Sequence, residues 1–119
     1  MSAKFDLTRS DNGQYHFLLK AGNGEIILTS ETYAAKSGAT AGIESVKANA
    51  ADDRRYERRA SRAGEPFFVL TAANRAIIGT SQMYSSPAAM ERGIESVKHS
   101  APDAEISDLT EKVRSQRRP

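Results

Sequence analysis

Polar and apolar residues alternate over residues 4–9 (Lys-Phe-Asp-Leu-Thr-Arg), the period of a half-buried strand. Asp11-Asn12-Gly13 follows as a hairpin turn, because Asn-Gly tolerates the positive φ that tight hairpins demand. Residues 15–21 resume the alternation, with Tyr15, Phe17 and Leu19 on one face and His16, Leu18 and Lys20 on the other. Asn23-Gly24 reads as a second turn, and residues 25–29 form a third strand rich in Ile and Thr. The period then changes. Ala39, Ile43, Val46 and Ala50 are spaced i, i+4, i+7 and i+11, which places them in one stripe of a helix.

The same pattern occurs twice. Gly42-Ile43-Glu44-Ser45-Val46-Lys47 returns as Gly93-Ile94-Glu95-Ser96-Val97-Lys98, an offset of 51. At that offset residues 5–53 align with 56–104 without a gap and agree at 19 of 49 positions, far beyond chance. The matches include Phe17/Phe68, Leu19/Leu70, Asn23/Asn74, Thr29/Thr80, Ser30/Ser81 and Tyr33/Tyr84. The second helical stripe is Met90, Ile94, Val97 and Ala101. Ser86-Pro87 marks its start, since Ser caps free N–H groups and Pro suits the first helical position. The first helix has Ala35-Lys36 there and is expected to fray more, while Pro102 stops the second.

Each unit therefore reads β-β-β-α, and neither encloses a core alone. The predicted fold is α+β: tandem repeats, about 4–53 and 54–109, joined with pseudo-twofold symmetry into one antiparallel sheet with both helices on one face. Residues 104–109 predict a last strand, and 110–119 a disordered basic tail. The repeated turn, Phe-x-Leu strand, Asn turn, Ile-Ile-x-Thr-Ser, Tyr and Gly-Ile-Glu-Ser-Val-Lys together resemble the YegP family of small bacterial proteins. That resemblance implies β-β-β-α-β repeats in a single sheet, the final strand of each unit exchanged onto its partner, and single-unit members that dimerise. It implies no established activity and supplies no catalytic residue. Two departures put equivalence of the halves in doubt: Asn74-Arg75 replaces Asn23-Gly24, and Pro66 replaces Tyr15.

Composition narrows the chemistry. The 119 residues are 39% hydrophobic and 27% charged, ordinary for a globular domain, and include no Cys. Disulfides, thiolate catalysis and sulfur-ligated zinc are thereby excluded, and two His cannot supply a three-histidine metal site. With no apolar run long enough to span a membrane and no signal-peptide core, the expected setting is cytoplasmic, without membrane, metal or cofactor. The net charge of +2 is uneven. Residues 54–62 hold five Arg against one Glu and residues 112–119 hold four cations, leaving the rest at about −6.

Candidate chemistry is sparse. Gly42 and Gly93 lie inside helices, where Gly costs about 1 kcal/mol against Ala, so close packing is expected there. Tyr33 and Tyr84 are expected to anchor the strand-to-helix connection with a buried ring and a bonded hydroxyl. The duplicated Asn, Thr and Ser residues suit local backbone bonding. A catalytic triad lacks a duplicated base, because His16 aligns with Phe67 and His99 with Ala48. The chain is therefore read as a non-enzymatic interaction module. One candidate surface is the sheet face carrying His16, Leu18, Phe67 and Val69, open to a protein partner or a second copy. The alternative is weak, sequence-tolerant nucleic-acid binding through Arg54, Arg55, Arg58, Arg59 and Arg62 with the tail.

Overall fold

The computed structural model describes residues 3–110. The first unit contains β1 (Lys4–Arg9), β2 (Tyr15–Lys20), β3 (Ile26–Thr29) and α1 (Lys36–Asn49). After a single-turn 3-10 helix at Asp53–Arg55 the second contains β4 (Tyr56–Ala60), β5 (Pro66–Thr71), β6 (Ile77–Thr80) and α2 (Pro87–Ser100). A second such turn, Ala101–Asp103, leads to β7 (Glu105–Asp108). The expected basic tail lies, beyond Thr110, outside the described residues.

The strands form one seven-stranded sheet in the order β4-β5-β6-β3-β2-β1-β7. The pseudo-twofold axis passes between β3 and β6, where Thr29 pairs with Thr80. One expectation needs correction: the sheet is mixed, because β7 runs parallel to β1. β6 runs opposite to β1, so the chain reverses through α2 and lays β7 along β1 in the same direction. A second correction concerns strand exchange, which occurs once. β7 of the second unit lies against β1 of the first, whereas the matching segment after α1, residues 54–57, is spent on the 3-10 turn and the opening of β4.

Both helices cover one face. Their predicted stripes, Ala39, Ile43, Val46 and Ala50 with Met90, Ile94, Val97 and Ala101, are buried against Phe5, Leu7, Phe17, Leu19, Tyr56, Phe68 and Leu70. Full burial of each Phe or Leu contributes about 1.5–3 kcal/mol. A register shift at Leu19/Lys20 turns both Ile27 and Leu28 into this core, and its counterpart at Leu70/Thr71 buries Ile78. The halves differ at the centre: a Cβ on Gly79 would lie 2.6 Å from the Leu28 side chain. One Leu fills space that two could not share.

The sequence departures have local consequences. Arg75 adopts φ 74°, close to the 87° of Gly24, so the turn survives at the expense of a strained side-chain-bearing residue. Tyr15 and Tyr33 exchange two backbone bonds of 2.7 Å, whereas Pro66, lacking an N–H, keeps only the bond from Tyr84 N–H at 2.8 Å. As expected, Ser86 caps α2 by accepting from the Ala89 N–H at 3.1 Å, and α1 has no side-chain cap.

The helix glycines are explained by tyrosine. Tyr33 and Tyr84 lie between the sheet and the helices, stacked on Phe17 and Phe68 at centroid distances of 6.4 and 6.3 Å. A Cβ on Gly42 would stand 2.5 Å from Tyr33 Oη, and one on Gly93 would meet Tyr84 Oη and lie 2.6 Å from its Cζ. Helix propensity alone would have Ala at either site raise stability by about 1 kcal/mol. The clash reverses that sign: Gly42→Ala and Gly93→Ala should each lower unfolding free energy by about 1–3 kcal/mol in denaturant melts. A higher melting midpoint for either variant would refute the tyrosine contact. Arg75→Gly should move the other way, gaining about 0.5–1 kcal/mol by relieving the left-handed backbone, and a loss in the same assay would contradict that.

Candidate functional site

The polar residues shared by both units are committed to the fold. Asn23 and Asn74 accept from the N–H groups of Glu25 and Ala76 at 2.9 and 3.0 Å, closing their turns. Ser30 Oγ accepts from Phe17 N–H at 2.8 Å and donates to Glu31 O at 2.6 Å. Ser81 repeats this with Phe68 N–H at 3.0 Å and Gln82 O at 2.8 Å. These hydroxyls replace main-chain partners where β2 and β5 lose their neighbours. Thr29 and Thr80 meet at the junction of the units.

Tyr33 and Tyr84 are held chiefly by their rings. Burial pushes both phenols above their ordinary pKa, with Glu31 adding to the rise at Tyr33. At Tyr84 the approach of the Gln82 side chain opposes that rise, although the buried Oη makes no hydrogen bond of good geometry. The expected bonded hydroxyl is therefore absent at Tyr84, because ring stacking and the glycine contact fix the side chain without it. Tyr56 does find a partner: it is buried against Phe68, its hydroxyl donates to Ala50 O at 2.6 Å, and burial raises its pKa, assisted by the Asp53 and Glu95 carboxylates.

The sheet face remote from the helices carries the first set of predicted site residues. Leu18 and Phe67 are half-buried on it. Val69 is 2% exposed yet lies outside the helix-side core cluster, so its burial belongs to this face. His16 stands beside Thr8, with ring nitrogens 3.3 Å from Thr8 Oγ1. The alternation of β2 and β5 dictates this grouping, since Phe17, Leu19, Phe68 and Leu70 occupy the core. The same face holds a pair that sequence reasoning did not single out. Asp6, 5% exposed, meets Lys20 Nζ at 2.7 Å and keeps one buried oxygen without a partner.

The arginine cluster lies on β4 and the turns before and after it, Arg62 being in the latter. Arg54 and Arg55 reach Asp52 at 3.1 and 3.5 Å, and Arg59 reaches Glu57 at 2.7 Å. Arg58, on the helix side of the strand as Tyr56 is, spans to α2 and grips Glu91 with two bonds of 2.6 and 3.1 Å. Its Nη2 also donates to Asp53, which takes a further bond of 2.9 Å from Lys98. Four of the five cations are thus matched by carboxylates, and no ion pair involves Arg62 among the described residues. The segment's linear charge of +4 is largely offset in space by Asp52, Asp53, Glu57 and Glu91. Asp53, Glu91 and Lys98 were missed as its partners. The signal was present in the paired differences between units: Leu7 becomes Arg58 where Thr40 becomes Glu91.

These features define a twofold-repeated, two-layer α+β module with one open sheet face. The family profile described as "Domain of unknown function (DUF1508)" matches twice, at residues 10–57 and 61–108, and the chain belongs to that family. It is 52% identical over 110 residues to a UPF0339 protein of Acinetobacter baylyi, covering 92% of this chain and 99% of that one. It is 46% identical to the UPF0339 protein YegP of Escherichia coli K12, covering 92% of this chain and all of its relative. The solution NMR structure of a UPF0339 protein from Shewanella oneidensis superposes with a TM-score of 0.89 at 49% identity, over 99% of this chain and 100% of that one. That of E. coli yegP, a protein of unknown function, gives 0.87 at 45% identity, over 92% and 95%. Within the described residues no helix is long and apolar enough to cross a membrane.

Ion pairing around Arg58 gives a pH dependence with a definite sign. Hydrogen bonds from Lys98 and Arg58 hold the Asp53 carboxyl below its ordinary pKa, and the bond from Arg58 does the same for Glu91. Both groups therefore contribute stability above the unfolded carboxyl pKa of about 4, and the contribution is lost as pH falls through their lower folded values. Between pH 6 and 2 the denaturation midpoint of Arg58→Met should fall less than that of the parent chain. Parallel profiles would show that these exposed pairs do not couple to folding.

Proposed function

We propose that this protein is a non-enzymatic protein-interaction module whose working surface is the open sheet face. The observation that carries this reading is the row of side chains across that face: Leu18 pairs with Thr29, Thr29 with Thr80 and Thr80 with Val69, with Phe67 next to Val69 along β5, while both helices cover the opposite side. A sheet face with apolar side chains and no second layer is a surface suited to association. The duplicated Asn and Ser residues, the natural raw material for a twofold active site, already serve backbone groups. The neutralised arginine cluster favours a protein partner over a polyphosphate. The setting in this reading is the cytoplasm, where a chain without Cys gives up no disulfide stabilisation.

A photo-reactive benzophenone amino acid replacing Phe67 tests the reading against the same group replacing Glu95, which is exposed on α2. A discrete protein adduct formed from position 67 and absent from position 95 is the expected result. A dimer-sized adduct of the purified chain would identify the partner as a second copy. Identical adduct patterns from both positions, or none from position 67, would overturn the assignment of this face.

A further inference from the structure

The two ends of the sheet are equivalent by the pseudo-twofold, and the chain closes only one of them. At one end β7 lies parallel to β1 with Lys4 paired to Glu105, Phe5 to Ile106, Asp6 to Ser107 and Leu7 to Asp108. The ladder continues with Leu109 N–H donating to Leu7 O at 2.9 Å. At the other end β4 pairs with β5 and has no outer neighbour among the described residues. The equivalent closing segment does not exist, because residues 54–57 have become the end of the 3-10 turn and the start of β4 itself. A second copy cannot fill the gap without opening its own β1, since each chain makes one β7 for two such edges.

The unclosed edge is shaped for a particular kind of strand. Transferred to this end of the sheet, the β1·β7 register sets the four positions of the incoming strand opposite Arg55, which ends the 3-10 turn, and Tyr56, Glu57 and Arg58 of β4. The acidic positions of β7, Glu105 and Asp108, would thus fall against cations at both places. Arg58 bonds through Nε and Nη2, leaving Nη1 unengaged among the described residues, whereas Arg55 contributes its charge beside Asp52, which stands 3.5 Å from its buried Nε. The second position would face Tyr56 as Ile106 faces Phe5. The chain's own residues 112–119 carry four cations and oppose this pattern.

The geometry points to the free edge of β4 as a binding site for an acidic extended segment of another protein, of pattern acid–apolar–small–acid, which adds in parallel as an eighth strand. Main-chain bonds at Arg58 supply the pairing, as they do at Leu7, and Arg55 and Arg58 select the charge. This inference rests on the edge and not on the open face, so either can fail while the other stands.

The test is an amide-resolved NMR titration of the full chain with the capped peptide Ac-Ala-Glu-Ile-Ser-Asp-Leu-NH2, the segment that closes the β1 edge. The expected result is shifts at the amides of Tyr56–Ala60, slowed hydrogen exchange at Arg58, and at least about tenfold weaker binding when both acids are replaced by Lys. Arg58→Glu should weaken binding by a similar factor. Arg58→Leu, which installs the residue found at the equivalent place in β1, provides a variant with a known fold precedent and should also weaken it. Unchanged resonances elsewhere establish that either variant is folded. No β4 shifts at millimolar peptide, equal binding of the Lys peptide, or shifts on β1 through displacement of β7 would each overturn the inference. So would β4 shifts that grow with protein concentration alone, which would assign the edge to a second copy.

Discussion

The arrangement depends on a tyrosine ring pressed against a helix glycine, made once in each unit. Tyr33 and Tyr84 follow the third strand of their units and must cross from the sheet to the helix layer before the helices begin. Stacking on Phe17 and Phe68 fixes each ring on the sheet side, and the missing Cβ at Gly42 and Gly93 lets the helix backbone come down on its other side. Helix height, helix rotation and the path of the connection are set together by that contact. The buried stripes through Ile43 and Val46, and through Ile94 and Val97, then face the sheet without further adjustment. Glycine is tolerated in two helix interiors because removing it would separate the layers, a larger penalty than its backbone entropy.

Duplication gives the molecule its symmetry, and packing breaks it in two places. At the axis, one central space is shared by both units, so Leu28 fills it and Gly79 yields. At the ends, a single closing strand serves two edges, and the residues differ accordingly. Leu7 is buried beneath a sheet margin that β7 extends, whereas Arg58 caps a margin with no such strand and draws in Glu91, Asp53 and Lys98. Charged side chains on an outer strand also oppose uncontrolled pairing between copies. The asymmetry is therefore a consequence of how a closed count of strands meets an open sheet.

Much of this was legible from the sequence because it is local. Alternation identified the strands of each unit, the i, i+4, i+7 stripes identified both helices, and Ser86-Pro87 identified a cap. The repeat itself exposed the family before any geometry was known. What sequence did not convey is relational. The parallel sense of β7 depends on which edge the chain finds after α2, and that edge lies some hundred residues back along the chain. The register shifts that turn Ile27 and Leu28 to the same side break the simple period of two. The tyrosine–glycine contact joins residues nine apart through a ring whose direction no periodicity describes. Even so, comparing the copies with each other carried information that neither carried alone, as the joint change of Leu7 to Arg58 and Thr40 to Glu91 shows.

That comparison also governs how charge should be read. Along the chain, residues 54–62 form the densest run of cations in the described part of the molecule and suggest a polyanion ligand. In space the run is stretched along one outer strand, and its members face Asp52, Asp53, Glu57 and Glu91 from three different elements. A polyphosphate is attracted by summed uncompensated charge, and here that sum is small. A β-strand asks for something different: unpaired main-chain groups at an edge, with side-chain charge that need only be correct at one or two positions. Neutralisation weakens the pull on the first kind of partner and bears less on the second. The feature that looked most like a nucleic-acid signal thus acquires its meaning from the strand that carries it, whose equivalent in the first unit, β1, is covered by β7.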